Sequence, residues 1–178
     1  MNKSPSTVDS ILAQWHEQAE RIRQASAPAG IQSERWPGMT GLEILRDLIA
    51  GRLAPPPIHD TMDFMLIEAG PGRAVFQGAP QFKHYNPMGT VHGGWFATLL
   101  DSAVACAIHT TLPRGKSYTT VELKINVVRP LTEKVGLVRA EGTVIHSGNR
   151  LATAIGKLHG PDGKLYAHAS TTCFVMDI

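Results

Sequence analysis

The sequence predicts an α+β domain. Three observations lead there. Apolar residues recur at helical spacing in two N-terminal segments, the period changes to two after Pro57, and one long apolar helix interrupts the strands that follow. A hairpin, a long helix and then a run of antiparallel strands is not the alternating βαβ order of a parallel sheet.

The first element is a helix from about Ser6 to Gln24. Ser6 or Thr7 caps it, and Ile11, Leu12, Trp15, Ala19 and Ile22 form its apolar stripe. "SAPAGIQSERWPG" reads as a linker. "TGLEILRDLIAGRL" is a second helix, with Leu42, Leu45, Leu48 and Ile49 on one side and Gly51 near its end, stopped by Pro55-Pro56-Pro57. "TMDFMLIEAG" and "GRAVFQGAP" are strands joined at Gly70-Pro71-Gly72. A helix from about Gly93 to Thr110 follows. In "TTVELKINVVRP", Val121, Leu123, Ile125 and Val127 alternate with Glu122, Lys124 and Asn126. "KVGLVRAEGTVIHSG", "RLATAIGKLHG" and "KLYAHASTTCFVM" complete the strands.

With 178 residues the chain holds one domain with a sizeable core, or one domain plus an appendage. A formal charge of +2 is too mild to point to nucleic acid. Two cysteines, Cys106 and Cys173, do not make a disulfide scaffold, and a reducing cytoplasmic setting is expected. No stretch approaches the ~20 apolar residues of a membrane span, and the N-terminal residues lack the apolar run of a secretory signal.

The stretch from His84 to Ala103, "HYNPMGTVHGGWFATLLDSA", sets a carboxylate inside an apolar helix. On a helical wheel, Trp95, Phe96, Leu99, Ala103 and Cys106 gather on a bulky side. Gly94, Ala97, Thr98 and Ala105 surround Asp101, with Val104 and Ile108 adding bulk only toward the C-terminal end. No Lys, Arg or Glu accompanies the acid between residues 93 and 108, so this is not an ordinary solvated face. At the helix start, Gly93 and Gly94 are expected to leave backbone N–H groups uncovered, where a carbonyl oxygen developing negative charge would be stabilised. Gly93 and Asp101 are eight residues apart, roughly 12 Å along the axis. That is too far for one reacting centre, but two such helices antiparallel about a twofold would bring the acid of one chain to the helix start of the other. The expectation is a site shared across a homodimer.

"N-P-M-G-T-V-H-G-G-(x)6-D", continued by "YTTVELKINVVRPL", resembles the PaaI-like acyl-CoA thioesterases of the hotdog-fold superfamily, over about Gly41 to Met176. The resemblance implies an antiparallel sheet of about five to six strands wrapped around a long central helix, here with an extra N-terminal helix. It divides the chain into an extension and linker, residues 1–36, and a hotdog domain, residues 37–178. It implies that Asp101 is the nucleophile or the general base, that the Gly93 N–H polarises the thioester carbonyl, that Asn86 orients water or thioester, and that Thr120 sits beside the acid and helps to place the water. His92 and Gly94 belong to the motif at the substrate, His92 mainly by shaping the turn. Arg129, Ser147, Gly148 and Arg150 are the implied coenzyme A contacts. The implied substrate is an acyl-CoA, and the implied assembly is a homodimer or a dimer of dimers. No metal, cofactor, nucleic acid or membrane partner is implied; coenzyme A belongs to the substrate.

A thioester has a good leaving group, so a positioned carboxylate and an oxyanion donor suffice without a serine or metal. No Gly-x-Ser-x-Gly elbow is present. The eight histidines lack metal-site spacing, and His84 and His92 read as turn histidines. The alternatives are a hydratase-type hotdog enzyme, whose Asp–His pairing is not seen here, and a non-catalytic acyl-CoA-binding protein, against which Asp101 and Asn86 together argue.

Overall fold

The computed structural model describes residues 6–178. Residues 1–5 of the expected N-terminal extension lie outside them.

Helix α1, Thr7–Ala25, starts as its sequence directs. The Ser6 hydroxyl accepts the Asp9 N–H at 3.2 Å, and the Asp9 carboxylate accepts the Ser6 N–H at 3.1 Å, a reciprocal capping box. Thr40 and Glu43 repeat the device at the start of helix α2, Gly41–Ile49. Just past α2, Gly51 takes φ +71°, and a Cβ there would lie 1.8 Å from the Ala25 carbonyl oxygen. Glycine is required twice over, for the left-handed conformation and for the approach to the end of α1.

The structure departs from the sequence-based reading around Thr61. A short helix α3, Ile58–Met62, occupies the segment read as the beginning of a strand, because the proline run ends in the helical conformation at Pro57. Asp63 then closes α3 in the left-handed region, φ +50°, and strand β1 runs only over Phe64–Gly70. Within the segment read as linker, residues 33–38 form a 3-10 turn containing Pro37.

Strand β2, Arg73–Gly78, pairs with β1. Helix α4, Gly93–His109, follows, and then strands β3, Lys116–Val127, β4, Val138–Ser147, β5, Leu151–His159, and β6, Leu165–Asp177. All form one antiparallel sheet in the order β1-β2-β4-β5-β6-β3. One face carries α4. Its Trp95, Phe96, Leu99, Leu100, Ala103 and Ala107 are buried against Phe64, Phe76, Val138, Ala140 and Leu158. The sheet meets the helix with small residues, and a Cβ at Gly142 would lie 2.2 Å from the Ala103 carbonyl oxygen. The helix axis therefore seats close to the strands.

The long edge strand β3 does not keep strict alternation. A bulge between Thr120 and Glu122 takes Val121 out of the pairing, so it is 58% exposed while Leu123 and Ile125 are half-buried; Val127, on their face but at the strand's end, is 47% exposed. The period-two pattern in the sequence gives no sign of the extra residue.

Helix α1 covers the opposite face of the sheet over β1, β2 and β4. The Gln77 amide donates to the Trp15 carbonyl at 3.2 Å, and the Gln18 amide donates to the Ile67 carbonyl at 3.3 Å. The Arg139 guanidinium donates to Gln18 at 2.8 Å and lies 4.3 Å above the Trp15 ring. Val75 and Gln77, which would otherwise face solvent, are 3% exposed.

Candidate active site

Asp101 sits in the middle of α4, half-buried, with the Thr120 hydroxyl donating to its Oδ1 at 3.0 Å from the first half of β3. Burial raises its pKa above the usual carboxylate range, and the Thr120 hydrogen bond pulls it back only in part. On the same side of the helix Gly94, Ala97, Thr98 and Ser102 remain accessible. The Thr98 hydroxyl donates to the Gly94 carbonyl and the Ser102 hydroxyl to the Thr98 carbonyl, both at 2.9 Å. These hydroxyls are spent on the helix backbone. The accessible strip is therefore narrow, small and nearly free of competing polar groups around one carboxylate.

The start of α4 shows which amide is free. His92 is the N-cap, and its Nδ1 accepts the Gly94 N–H at 2.9 Å. Its carbonyl accepts the Trp95 N–H at 3.0 Å. The Gly93 N–H has no acceptor among the described residues. The expectation of two uncovered amides thus holds for Gly93 and not for Gly94, because the imidazole of His92 folds over the latter. A side chain at Gly93 would meet nothing within 4 Å, so this amide lies open. An open N–H at the positive end of a 17-residue helix is a ready donor to an oxygen that develops negative charge.

Asn86 holds the loop ahead of that amide. Its Oδ1 accepts the N–H groups of Met88 and Thr90 at 2.9 and 3.3 Å, and its Nδ2 donates to the Thr90 hydroxyl at 3.0 Å. One Nδ2 hydrogen remains uncommitted. The isolated bridge between Tyr85 and Val91 closes the same loop.

The chain does not gather all the expected site residues. Asp101 and Thr120 are together, and Asn86, His92 and Gly93 are together half a helix away. Arg129 follows β3 at the N-terminal end of α4, its N–H bonded to the Tyr166 carbonyl at 3.2 Å. Ser147, Gly148 and Arg150 lie at the C-terminal end, where the Ser147 and Thr111 hydroxyls are 2.7 Å apart. Cys106 touches the Tyr118 hydroxyl at 3.9 Å, and burial pushes its thiol up to about 12, as suits a packing residue. One contact escaped the sequence reading, which took His84 for a turn histidine and did not single out Asp63. Asp63 and His84 meet at 3.0 Å beneath the first turn of α4, and their separation of 21 residues across the β1–β2 hairpin gives no local signal.

No helix among the described residues is long and apolar enough to cross a membrane.

Similar proteins carry the same architecture. The model of the Thioesterase superfamily matches residues 88–167. Acyl-coenzyme A thioesterase 13 of Homo sapiens is 31% identical over 108 residues, which cover 60% of this chain and 76% of that protein. Among solved structures, the phenylacetic acid degradation-related protein of Ralstonia eutropha JMP134 superposes with a TM-score of 0.67 at 27% identity, over 76% of this chain and 99% of that one. A variant of the phenylacetic acid degradation protein PaaI from Thermus thermophilus does so with a TM-score of 0.60 at 29% identity, over 66% and 97%. With its six-stranded antiparallel sheet around a long helix, its HGG turn and this relationship, the chain belongs to the thioesterase superfamily, in the PaaI-like group of the hotdog fold, and is a thioester hydrolase.

Proposed function

We propose that the protein is an acyl-CoA thioesterase whose site is shared across a homodimer, alone or within a dimer of dimers. The observation that carries this reading is the disposition of two groups on α4: an unaccepted Gly93 N–H and, roughly 12 Å further along the accessible strip, Asp101. Neither reaches the other within one chain. Helices packed antiparallel through Gly94, Ala97, Thr98 and Ser102 bring each Asp101 to the partner's Gly93, and small side chains permit that approach. The edge strand β3, with Val121 and Val127 exposed, supplies the adjoining surface.

In this arrangement the thioester carbonyl oxygen accepts the Gly93 N–H, and Asn86 lends its remaining Nδ2 hydrogen from the same protomer. The partner's Asp101 either takes a proton from the attacking water and passes it to the departing thiolate, or attacks the carbonyl itself to form a mixed anhydride that water then hydrolyses to the free acid, water supplying the thiol proton; the partner's Thr120 orients that carboxylate. The acyl–sulfur bond breaks, and the thiolate of coenzyme A leaves and is protonated. The similarity to acyl-coenzyme A thioesterase 13 supports acyl-CoA as the substrate class. The antiparallel pairing also sets Arg129 of one protomer beside the Ser147–Arg150 turn of the other, two basic groups suited to the phosphates of coenzyme A. The reading requires no metal or separate cofactor.

Two strongly impaired variants test it. Gly93→Pro removes the N–H at the first helical position, where proline is tolerated, and His92 before it already has the extended ψ of 140° that proline demands. Gly93→Ala controls for the added carbon. Asp101→Ala removes the acid. Released thiol is followed on a panel of acyl-CoA substrates. Each variant alone retains a measurable residue of activity, roughly a hundredfold or more below the parent. Co-refolded in equal amounts, they regain about a quarter of the parent activity, since half the dimers are mixed and one site in each is intact. No recovery in dimers verified as mixed rejects the shared site; full activity of Gly93→Pro rejects the oxyanion role.

A further inference from the structure

We propose that Asp63 and His84 form a positioning pair that aims the Gly93 N–H at the thioester oxygen. The proposal rests on the oxyanion role of Gly93 given above.

His84 is sealed beneath the first turn of α4, its side chain 5% exposed. Its ring stacks on Trp95, with centroids 5.7 Å apart and planes 29° from parallel. Nδ1 accepts the Gln81 N–H at 3.0 Å, so the ring proton resides on Nε2. Nε2 faces Asp63 Oδ2 at 3.0 Å, and Lys83 Nζ approaches the same oxygen at 2.7 Å. Both Asp63 Oδ2 and His84 Nε2 are buried without an aligned hydrogen bond. The Lys83 ammonium offsets the charge of this carboxylate, and the buried imidazole ties it to the corner under the first turn of α4. Asp63 also adopts left-handed φ and ψ of 50° each, a conformation uncommon outside glycine.

What this arrangement secures is the start of α4. The His84 carbonyl accepts the His92 N–H at 2.8 Å, fixing the residue immediately before Gly93. The Met62 carbonyl, next to Asp63, accepts the Trp95 indole N–H at 2.8 Å, fixing the residue two after it. Gly93 is thus clamped from both sides by the corner that Asp63 and His84 hold together. Neither side chain touches the reacting atoms. Their effect falls on orientation, where a displacement of about 1 Å costs up to roughly a hundredfold in rate.

Steady-state kinetics on the full-length protein test the pair in a double-mutant cycle with Gly93→Pro. Asp63→Ala is expected to lower kcat about tenfold with KM within about twofold of the parent. Asp63→Asn, which tolerates the left-handed conformation and still offers Oδ1 to Nε2, recovers most of that loss. In the Gly93→Pro background, Asp63→Ala is expected to cost nothing further. If Gly93→Pro is impaired and Asp63→Ala still costs its full factor there, the pair acts elsewhere and the proposal fails. A loss expressed in KM alone overturns it equally. If Gly93→Pro is fully active, the oxyanion reading fails first and the proposal falls with it. Should circular dichroism show Asp63→Ala unfolded, His84→Asn takes its place in the cycle, because its Oδ1 keeps the Gln81 N–H bonded while the contact to Asp63 is lost.

Discussion

The Thr120 hydroxyl reaches from the edge strand to the Asp101 carboxylate in the middle of α4, at 3.0 Å, and is the one hydrogen bond made to that carboxylate among the described residues. Burial raises the acid and this donor lowers it. The ionised form is the one that activates water or attacks, so activity is lost as pH falls through the raised pKa. Thr120→Val removes the lowering influence, and the acid limb of the kcat profile moves to higher pH. Thr120→Ser leaves it in place. An unmoved limb in the valine variant assigns the limb to another group.

Asp101→Asn is expected to remain folded and to lose hydrolysis by roughly a hundredfold or more, read by thiol release. Its melting temperature is equal to or above that of the parent at neutral pH. The sign follows from the raised pKa: the folded chain binds the proton more tightly than the unfolded one, so the ionised carboxylate is a burden on the fold above that pKa. A clear drop in melting temperature contradicts this account of its surroundings.

His59 lies against the rings of Phe64 and Phe76, with centroids 5.2 and 5.7 Å away, and burial holds its pKa at about 4, below the ordinary 6.5. Between those values the unfolded chain takes up a proton that the folded chain refuses. Stability is therefore full above pH 6.5 and declines toward pH 4, by on the order of 3 kcal/mol when the effect is complete. Urea titrations of His59→Phe across this window should show a shallower decline. His109, also held at about 4, leaves a remainder.

The order of elements was legible because each rests on local chemistry. The cap at Ser6 and the HGG turn mark their helices within a few residues, and the change of period to two after Pro57 announces the strands, though a short helix precedes the first of them. Asp101 stood out because its neighbours on the helix are small and uncharged. Three features were not legible. The bulge at Val121 adds a residue that no period announces. The imidazole of His92 closing over the Gly94 amide depends on a rotamer. The contact between Asp63 and His84 joins residues on either side of a hairpin, and only the assembled sheet brings them together.

Helix α1 also decides which surfaces stay available for assembly. By roofing β1, β2 and β4 it shields their outer side from any second sheet. The uncovered remainder, around β5 and β6, presents Leu151, Ile155 and Phe174 to solvent. Any surface that docks flat on this side of the sheet meets that apolar strip beside the helix rather than the strands beneath it.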